Sequence, residues 1–343
     1  MEPVNRRQFL AASVAGASAM AFPQLAFARS AKPKARIERV DTDRFELICD
    51  HPDRLRILQI SDTHMGAPTA GERVGDERSR KTIRTLISEQ EPDFVFHTGD
   101  FINNDKEAVE HRDAVGFMND LGTPWSLVWG NHDHSEGQVD GLSLDDYYAR
   151  LENHAMGYRV FNGAREYCFR IDVRGPKNRR GVSLFGFNCG GGDSKVISKN
   201  QLDWFRGQIE EDRRLGRAEP VLVMQHIPTV EYKTLFDTHL GVGRRGENVC
   251  FELDKGDAFA AYRDSGRVRG VFCGHDHVND YTGQLDDIRL TYGRVSGWSA
   301  YGDWQRGGRL IEMHGNDQPY HTRVVLPRGI SELPEWSQTL RDS

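Results

Sequence analysis

"RILQISDTH", residues 56–64, is the stretch from which the rest of the chain can be read. Ile57, Leu58 and Ile60 form a short apolar run of the kind that becomes a buried strand. Asp62 and His64 follow at a spacing of two, which in an extended chain turns both side chains the same way. A carboxylate and an imidazole converging on one spot can be a salt-bridged pair, a catalytic pair or two ligands of a cation. This stretch alone does not choose among the three.

Outward from it, short apolar runs alternate with helical patterns. Strands are predicted at 55–60, 93–98, 125–129, 183–188, 221–225 and 269–273, with hairpin material at 288–295 and 307–314. Helices are predicted at 76–90, 105–120, 144–153, 198–213 and 254–264. Leu202, Phe205 and Ile209 form one apolar stripe, Phe259 and Tyr262 another, and Ser198 with Gln201 reads as a capping box. Strands alternating with helices imply an α/β architecture whose sheet faces are covered. Residues 29–45 read as a charged lead-in and 328–343 as a polar tail.

The chain has 343 residues, 38% hydrophobic and 28% charged, which suits one large α/β domain or two medium ones. A formal charge of −6 leaves nothing basic enough to hold nucleic acid through its phosphates. Cys49, Cys168, Cys189, Cys250 and Cys273 form no CxxC pair, so a zinc knuckle or dithiol site is not expected, and they read mostly as buried thiols. Residues 1–28 are laid out as an export signal: Arg6-Arg7, Phe9-Leu10, an Ala/Gly-rich apolar run, then Ala26-x-Ala28. The core resembles a twin-arginine signal, with Asn5 where Ser or Thr is usual. The expectations are cleavage after Ala28, a mature chain 29–343 in the periplasm or secreted, the twin-arginine export machinery as a partner, and no stable membrane anchor.

The polar residues collect where strands end. After 93–98 comes Asp100, after 125–129 come Asn131, His132 and Asp133, after 221–225 comes His226, and after 269–273 come His275 and His277. Open α/β sheets bind ligands at the carboxyl ends of their strands, so five strand ends would deliver Asp62, His64, Asp100, Asn131, His132, His226, His275 and His277 to one place. Gly99, Gly130 and Gly274 would allow the sharp turns. Singly, each residue has a structural reading as cap, core histidine or turn former. Jointly, two carboxylates and five imidazoles gathered without a cation would carry a heavy desolvation cost.

Leaving His132 aside, the potential ligands are too many for one first-row ion, and two ions resolve the arithmetic. With Asp100 bridging, one ion takes Asp62, His64, Asp100 and one terminal histidine; the other takes Asp100, Asn131, His226 and the other terminal histidine. Imidazole with carboxylate suits Fe, Mn, Zn or Co rather than Ca or Mg. The surplus positive charge favours a phosphate oxyanion, and a metal pair can activate water for in-line displacement at phosphorus. Phosphoester hydrolysis follows as the expected chemistry, with a small-molecule phosphoester as partner.

Asp62/His64, Gly99-Asp100, Gly130 to Asp133, His226 and Gly274 to His277 match in order the pattern D-x-H … G-D … G-N-H-[DE] … H … G-H-x-H. On these residues the chain resembles the calcineurin-like metallophosphoesterases, over a core of about residues 55–315. The resemblance implies a fold of two packed mixed β-sheets flanked by helices, an α/β/β/α sandwich. It also implies that the ion using His64 takes His277 and the other takes His275, and that His132 is the general acid near the leaving oxygen, with Asp133 tuning it. "HIPTVEY" (226–232), "GRRGENVC" (243–250) and "GRVSGWSAYGDWQRGGRLIE" (293–312) resemble the plant and fungal branch filed beside purple acid phosphatases. Purple enzymes use D-x-G and a tyrosine three residues after the Asp of G-D. Here those places hold His64 and Asn103, so a colourless or pale protein is expected.

Asn131 and His132 are also candidate substrate contacts. Residues 229–250 read as a mobile basic loop in which Arg244 and Arg245 could hold a phosphate or carboxylate. Trp298, Tyr301 and Trp304 could form an aromatic wall or pack in the core. His134 could stand beside the metal ligands. "CGGGD" (189–193) lacks the Lys-Ser/Thr pairing of a phosphate loop and is set aside. The leading expectation is an exported phosphomonoesterase using two metal ions; the alternatives are a phosphodiesterase or nucleotidase, and a metal-bound interaction module without catalysis.

Overall fold

Along three neighbouring strands, successive side chains enter two different hydrophobic cores. Leu184, Leu222, Met224 and Phe272 join one core; Phe185, Val221, Val223, Val271 and Cys273 join the other. A sheet buried on both faces reads as a continuous apolar run for this reason. The computed structural model describes residues 35–66, 70–102, 108–133, 138–150, 154–155, 166–188, 195–315 and 319–328, all within the compact unit Pro33–Ser343. The export-signal residues, Asn103, His134 and the 189–193 stretch lie outside the described residues.

The strands are β1 (Arg36–Arg39), β2 (Arg44–Ile48), β3 (Arg56–Ile60), β4 (Phe94–His97), β5 (Trp125–Leu127), β6 (Gln138–Val139), β7 (Leu142–Ser143), β8 (His154–Ala155), β9 (Cys168–Arg174), β10 (Arg180–Phe187), β11 (Val221–Gln225), β12 (Val268–Cys273), β13 (Thr282–Leu285), β14 (Ile288–Tyr292), β15 (Gly308–Met313) and β16 (Tyr320–Val325). The helices are α1 (Ala70–Gln90), α2 (Ala108–Asp120), α3 (Leu144–Ala149), α4 (Lys199–Arg214), α5 (Glu231–Asp237) and α6 (Asp257–Ser265). One sheet has eight strands in the order β1-β2-β9-β10-β11-β12-β14-β13, the other six in the order β16-β15-β3-β4-β5-β8, and β6 pairs with β7. The working centres of both large sheets are parallel: β10, β11, β12 and β14 in one, β3, β4, β5 and β8 in the other.

The core between the sheets joins Phe45, Phe169 and Phe272 of the eight-stranded sheet to Ile57, Phe94, Phe96 and Ile311 of the six-stranded one. Phe96 and Phe169 stack across it with ring centroids 6.2 Å apart. On the other face of the six-stranded sheet Leu58 and Leu310 continue the same cluster with Ile83 and Leu86 of α1 and Val115 and Met118 of α2, while Leu202, Phe205 and Ile209 of α4 and Phe259 and Tyr262 of α6 pack in the second core. The layers are therefore helix, sheet, sheet, helix, as expected. The Ser198–Gln201 capping box closes in both directions at the start of α4.

The structure corrects several local expectations. The lead-in contributes β1 and the start of β2, and the 229–250 loop contains α5. β9 was not predicted because Arg170 and Asp172 interrupt its apolar pattern. Both are buried, and Arg170 is held by Asp172 at 2.6 Å and by Asp212 at 2.9 Å. No helix among the described residues is long and apolar enough to cross a membrane.

Candidate metal centre

All five ligand-bearing turns leave the carboxyl ends of parallel strands: β3, β4 and β5 from one sheet, β11 and β12 from the other. The ladder between the first two continues past their ends, with Asp62 N–H donating to Gly99 O and His64 N–H to Asp100 O, each at 3.0 Å. Asp62 and His64 do converge, but not as an extended chain. Their φ values are 53° and 43°, and Asp100 and His275 have φ 51° and 77°. Left-handed backbone at four non-glycine residues is costly and concentrates here, where neighbouring hydrogen bonds hold it.

The glycines act in two ways. Gly99 has φ 91° and makes the turn itself. At Gly130 and Gly274 the need is space. A side chain at Gly130 would strike Asp100 and, at 2.7 Å, the His226 ring; one at Gly274 would strike Ser61 and the Asp62 carboxylate. Only glycine lets the two sheets' turns approach this closely.

The converged side chains fall into two groups that share Asp100: Asp62, His64, Asp100 and His277, then Asp100, His226 and His275, with ligand atoms in each within 4.8 Å of one another. In the first, His64 Nε2 lies 3.3 Å from His277 Nε2 and 3.6 Å from Asp100 Oδ2, and His277 Nε2 lies 3.5 Å from Asp62 Oδ1. In the second, His226 Nε2 lies 3.2 Å from Asp100 Oδ2, 3.2 Å from His275 Nδ1 and 3.1 Å from Asn131 Oδ1. Asp62, His64, Asp100, His226 and His277 are buried; His275 and Asn131 are half-buried, and His132 is exposed. Each carboxylate also takes a backbone amide from another turn, Asp62 from His275 and Asp100 from His132, both at 3.0 Å.

The electrostatics fit a cation pair. Burial drives the His64 and His275 imidazoles down to about 4, so they are neutral lone-pair donors at neutral pH. Burial would raise the Asp62 and Asp100 carboxyls, but His277 beside Asp62, and His226 beside Asp100, hold both below the usual range. Burial opposes charge on His226, and Asp100 overrides it, raising that imidazole to about 10. Imidazole nitrogens facing one another at 3.2–3.3 Å beside buried carboxylates form a donor set suited to transition metals, and a cation there would take the place of the proton that Asp100 otherwise holds on His226.

Two residues hold the turns in ways the sequence did not reveal. His97, at the end of β4, is fully buried, and burial drives its imidazole down to about 3. Its Nδ1 accepts from Gly99 N–H at 3.1 Å, so the neutral ring donates from Nε2 to Thr63 Oγ1 at 2.9 Å. It thus ties the Asp62–His64 turn to the Gly99–Asp100 turn; the only signal was a histidine three residues before Asp100. Asn188 Oδ1 accepts from Trp129 N–H at 2.8 Å just before the Gly130–Asp133 turn. Asp133 is engaged with the backbone. Its carboxylate accepts from Phe101, Ile102 and Gly130 amides at 2.7–2.9 Å, anchoring one ligand turn to the next.

Arg245 is engaged elsewhere: its guanidinium donates to Phe236 O and to His239 Nδ1, the latter at 2.6 Å. Arg244 lies over the Trp304 ring and 3.8 Å from Asp303. Trp304 is core, donating from Nε1 to His277 O at 2.9 Å, and Trp298 donates from Nε1 to Thr82 at 2.9 Å. Tyr301 alone of the three is exposed, stacked on the His277 ring with centroids 4.0 Å apart. Cys250 is exposed rather than buried, close to His275 and Asp276.

A sequence profile described as calcineurin-like phosphoesterase matches residues 55–279, the span that carries every residue of both groups. Probable inactive purple acid phosphatase 28 of Arabidopsis thaliana is 28% identical over 301 residues, 75% of this chain and 74% of that protein. Tartrate-resistant acid phosphatase type 5 of Rattus norvegicus is 24% identical over 251 residues, 66% of this chain and 68% of that one. Among solved structures, a dimetal phosphatase from Danio rerio aligns at TM-score 0.48 and 11% identity, over 76% of this chain and 93% of that one. With the profile spanning most of the chain and ending just past the last ligand turn, this protein belongs to the calcineurin-like phosphoesterase family.

Proposed function

We propose that this chain is a phosphoesterase that works with two transition-metal ions, Fe, Mn or Zn, and hydrolyses phosphomonoesters. The observation that carries the reading is the pair of Asp/His groups sharing Asp100, with the exposed His132 beside them. Asp62, His64, Asp100 and His277 would hold one ion, and Asp100, Asn131, His226 and His275 the other. Such a pair supplies an activated water and charge stabilisation at the phosphoryl oxygens. His132 would donate the proton to the leaving oxygen: its ring lies 5.0 Å from that of His64, and its backbone is fixed by Asp100. Asn131, 3.1 Å from His226, fixes one edge of the second group and can donate its amide to a phosphate oxygen.

The Arabidopsis relative is named inactive; here the donor groups and His132 are all present, which supports an active enzyme. One observation favours a second reading. The exposed ring of Tyr301, 54% accessible beside His277, could carry the base of a nucleotide or another aryl group, which suits a phosphodiesterase or nucleotidase. Paired rates on p-nitrophenyl phosphate and bis-p-nitrophenyl phosphate, with metal-reconstituted chain, separate the two. A monoester preference supports the first reading, a diester preference the second, and inertness toward both overturns both. Export of the folded chain by the twin-arginine machinery to the periplasm is proposed from residues 1–28. Replacing Arg6 and Arg7 together by lysine should retain the protein in the cytoplasmic fraction; undiminished export would contradict it.

A further inference from the structure

Arg306 is buried, yet among the described residues its guanidinium hydrogen-bonds no carboxylate. Instead it donates to five backbone carbonyls of one loop: Nε to Gly297 O at 2.7 Å, one terminal nitrogen to Trp304 O at 3.1 Å, and the other to Ala300, Tyr301 and Gly302 O at 2.7–3.2 Å. A buried cation spent on carbonyls alone fixes the shape of that loop more tightly than any packing contact would.

What the loop touches gives that shape a purpose. At its start, Gly297 lies so close to the Asp62 and Thr63 carbonyls that any side chain there would collide with them. Just before it, Ser296 N–H donates to Ser61 O at 2.9 Å and Ser296 Oγ accepts from Ser61 N–H at 3.2 Å. At its far end, Trp304 Nε1 holds the His277 carbonyl, and Tyr301 covers the His277 ring, its hydroxyl donating to Glu247 at 2.8 Å. Two of the four residues in the first metal group, Asp62 and His277, are therefore backed by one loop, which also abuts the Thr63 carbonyl just before His64. His226 and Asn131 are held otherwise, the His226 ring by Thr98 O at 2.8 Å and by Asn131 itself.

We infer that Arg306 is a positioning residue for one half of the metal centre, holding Asp62 and His277, and the Thr63 link between Asp62 and His64, through the loop 297–304 while leaving the His226 half untouched. This rests on the two-ion reading above. Metal-stripped full chain titrated with Mn(II) by calorimetry tests it without any activity measurement. Wild type should bind two ions. In R306M one binding event should weaken by about 10- to 100-fold, the range for losing outer support of metal ligands, with the other unchanged. R306K, which keeps the charge but not the planar fork, should fall between. The weakened event should be assignable: combined with H226A, R306M weakens the ion that remains, and combined with H64A it does not. If circular dichroism shows R306M unfolded, Y301A decides alone, since that exposed ring can be removed without opening the core; it should weaken the same event. Two events of wild-type affinity in a folded R306M, or in Y301A where that variant decides, would overturn the inference. Fewer than two ions in the wild type would instead overturn the two-ion reading on which it stands.

Discussion

His132 is exposed while His64 and Asp100 beside it are buried, and that contrast supports the proposed role of proton donor. A proton donor to a leaving oxygen has to meet substrate. His132→Ala should lower kcat on an alkyl phosphate by roughly 10²–10⁴-fold. The loss on p-nitrophenyl phosphate should be smaller, because nitrophenolate leaves without a proton; equal losses on both would contradict the assignment. His64 makes a second prediction. It stands where purple enzymes have glycine, and Asn103 where they have the tyrosine of their ferric charge-transfer band, so the sequence lacks that tyrosine at its usual position. The iron-loaded protein should be pale or colourless, and a strong visible absorption band would contradict that. The ligand residues were legible in the sequence because each follows an apolar run at once. His97 and Arg306 were not, and Asp133 was visible only as a motif residue without its anchoring contacts, since these tasks are hydrogen bonds to backbone atoms of distant turns, which leave no spacing in the sequence.

At the scale of elements, strand ends are brought together by what is missing as much as by what is present. Gly130→Ala should place a methyl group against Asp100 and His226, weakening metal binding and lowering the melting temperature together. Unchanged metal affinity would show that the turn has room to move. Away from the site, Ser198→Ala should cost about 1 kcal/mol in urea unfolding, the usual worth of an N-cap, with unchanged turnover. The helices carrying clear 3.6-residue stripes, α4 and α6, were readable for the same reason that they are stable: one face is core and the other is solvent. β1 and β2 were hidden because RIER and RFELI alternate charge with apolar residues at the margin of a sheet. β9 was hidden by ions that only the folded chain pairs.

At the scale of the whole molecule, two sheets packed face to face bring five strand ends to one rim, and the buried Arg170–Asp172–Asp212 cluster locks the eight-stranded sheet to α4 behind it. That cluster sets an acid limit on stability. Burial would raise the Asp172 carboxyl, but Arg170 and Ser183 hold it below its ordinary value. A carboxyl lowered in the folded state contributes stability above its unfolded pKa, and that contribution is lost as pH falls through the folded one. The melting temperature should therefore fall below about pH 4. Asp172→Asn should be less stable than wild type at neutral pH yet lose less on acidification; parallel curves would contradict the assignment. The layered fold was foreseeable from alternating strands and helices, whereas the strand order was not, because β15 returns from the far end of the sequence to pair with β3. The measurement that bears most directly on the account is the rate of p-nitrophenyl phosphate hydrolysis by metal-reconstituted residues 29–343, beside the same chain carrying Asp100→Ala. The account predicts metal-dependent turnover that the substitution abolishes, since Asp100 belongs to both groups. Turnover that survives in Asp100→Ala, or a metal-replete wild type that turns over nothing, would contradict it.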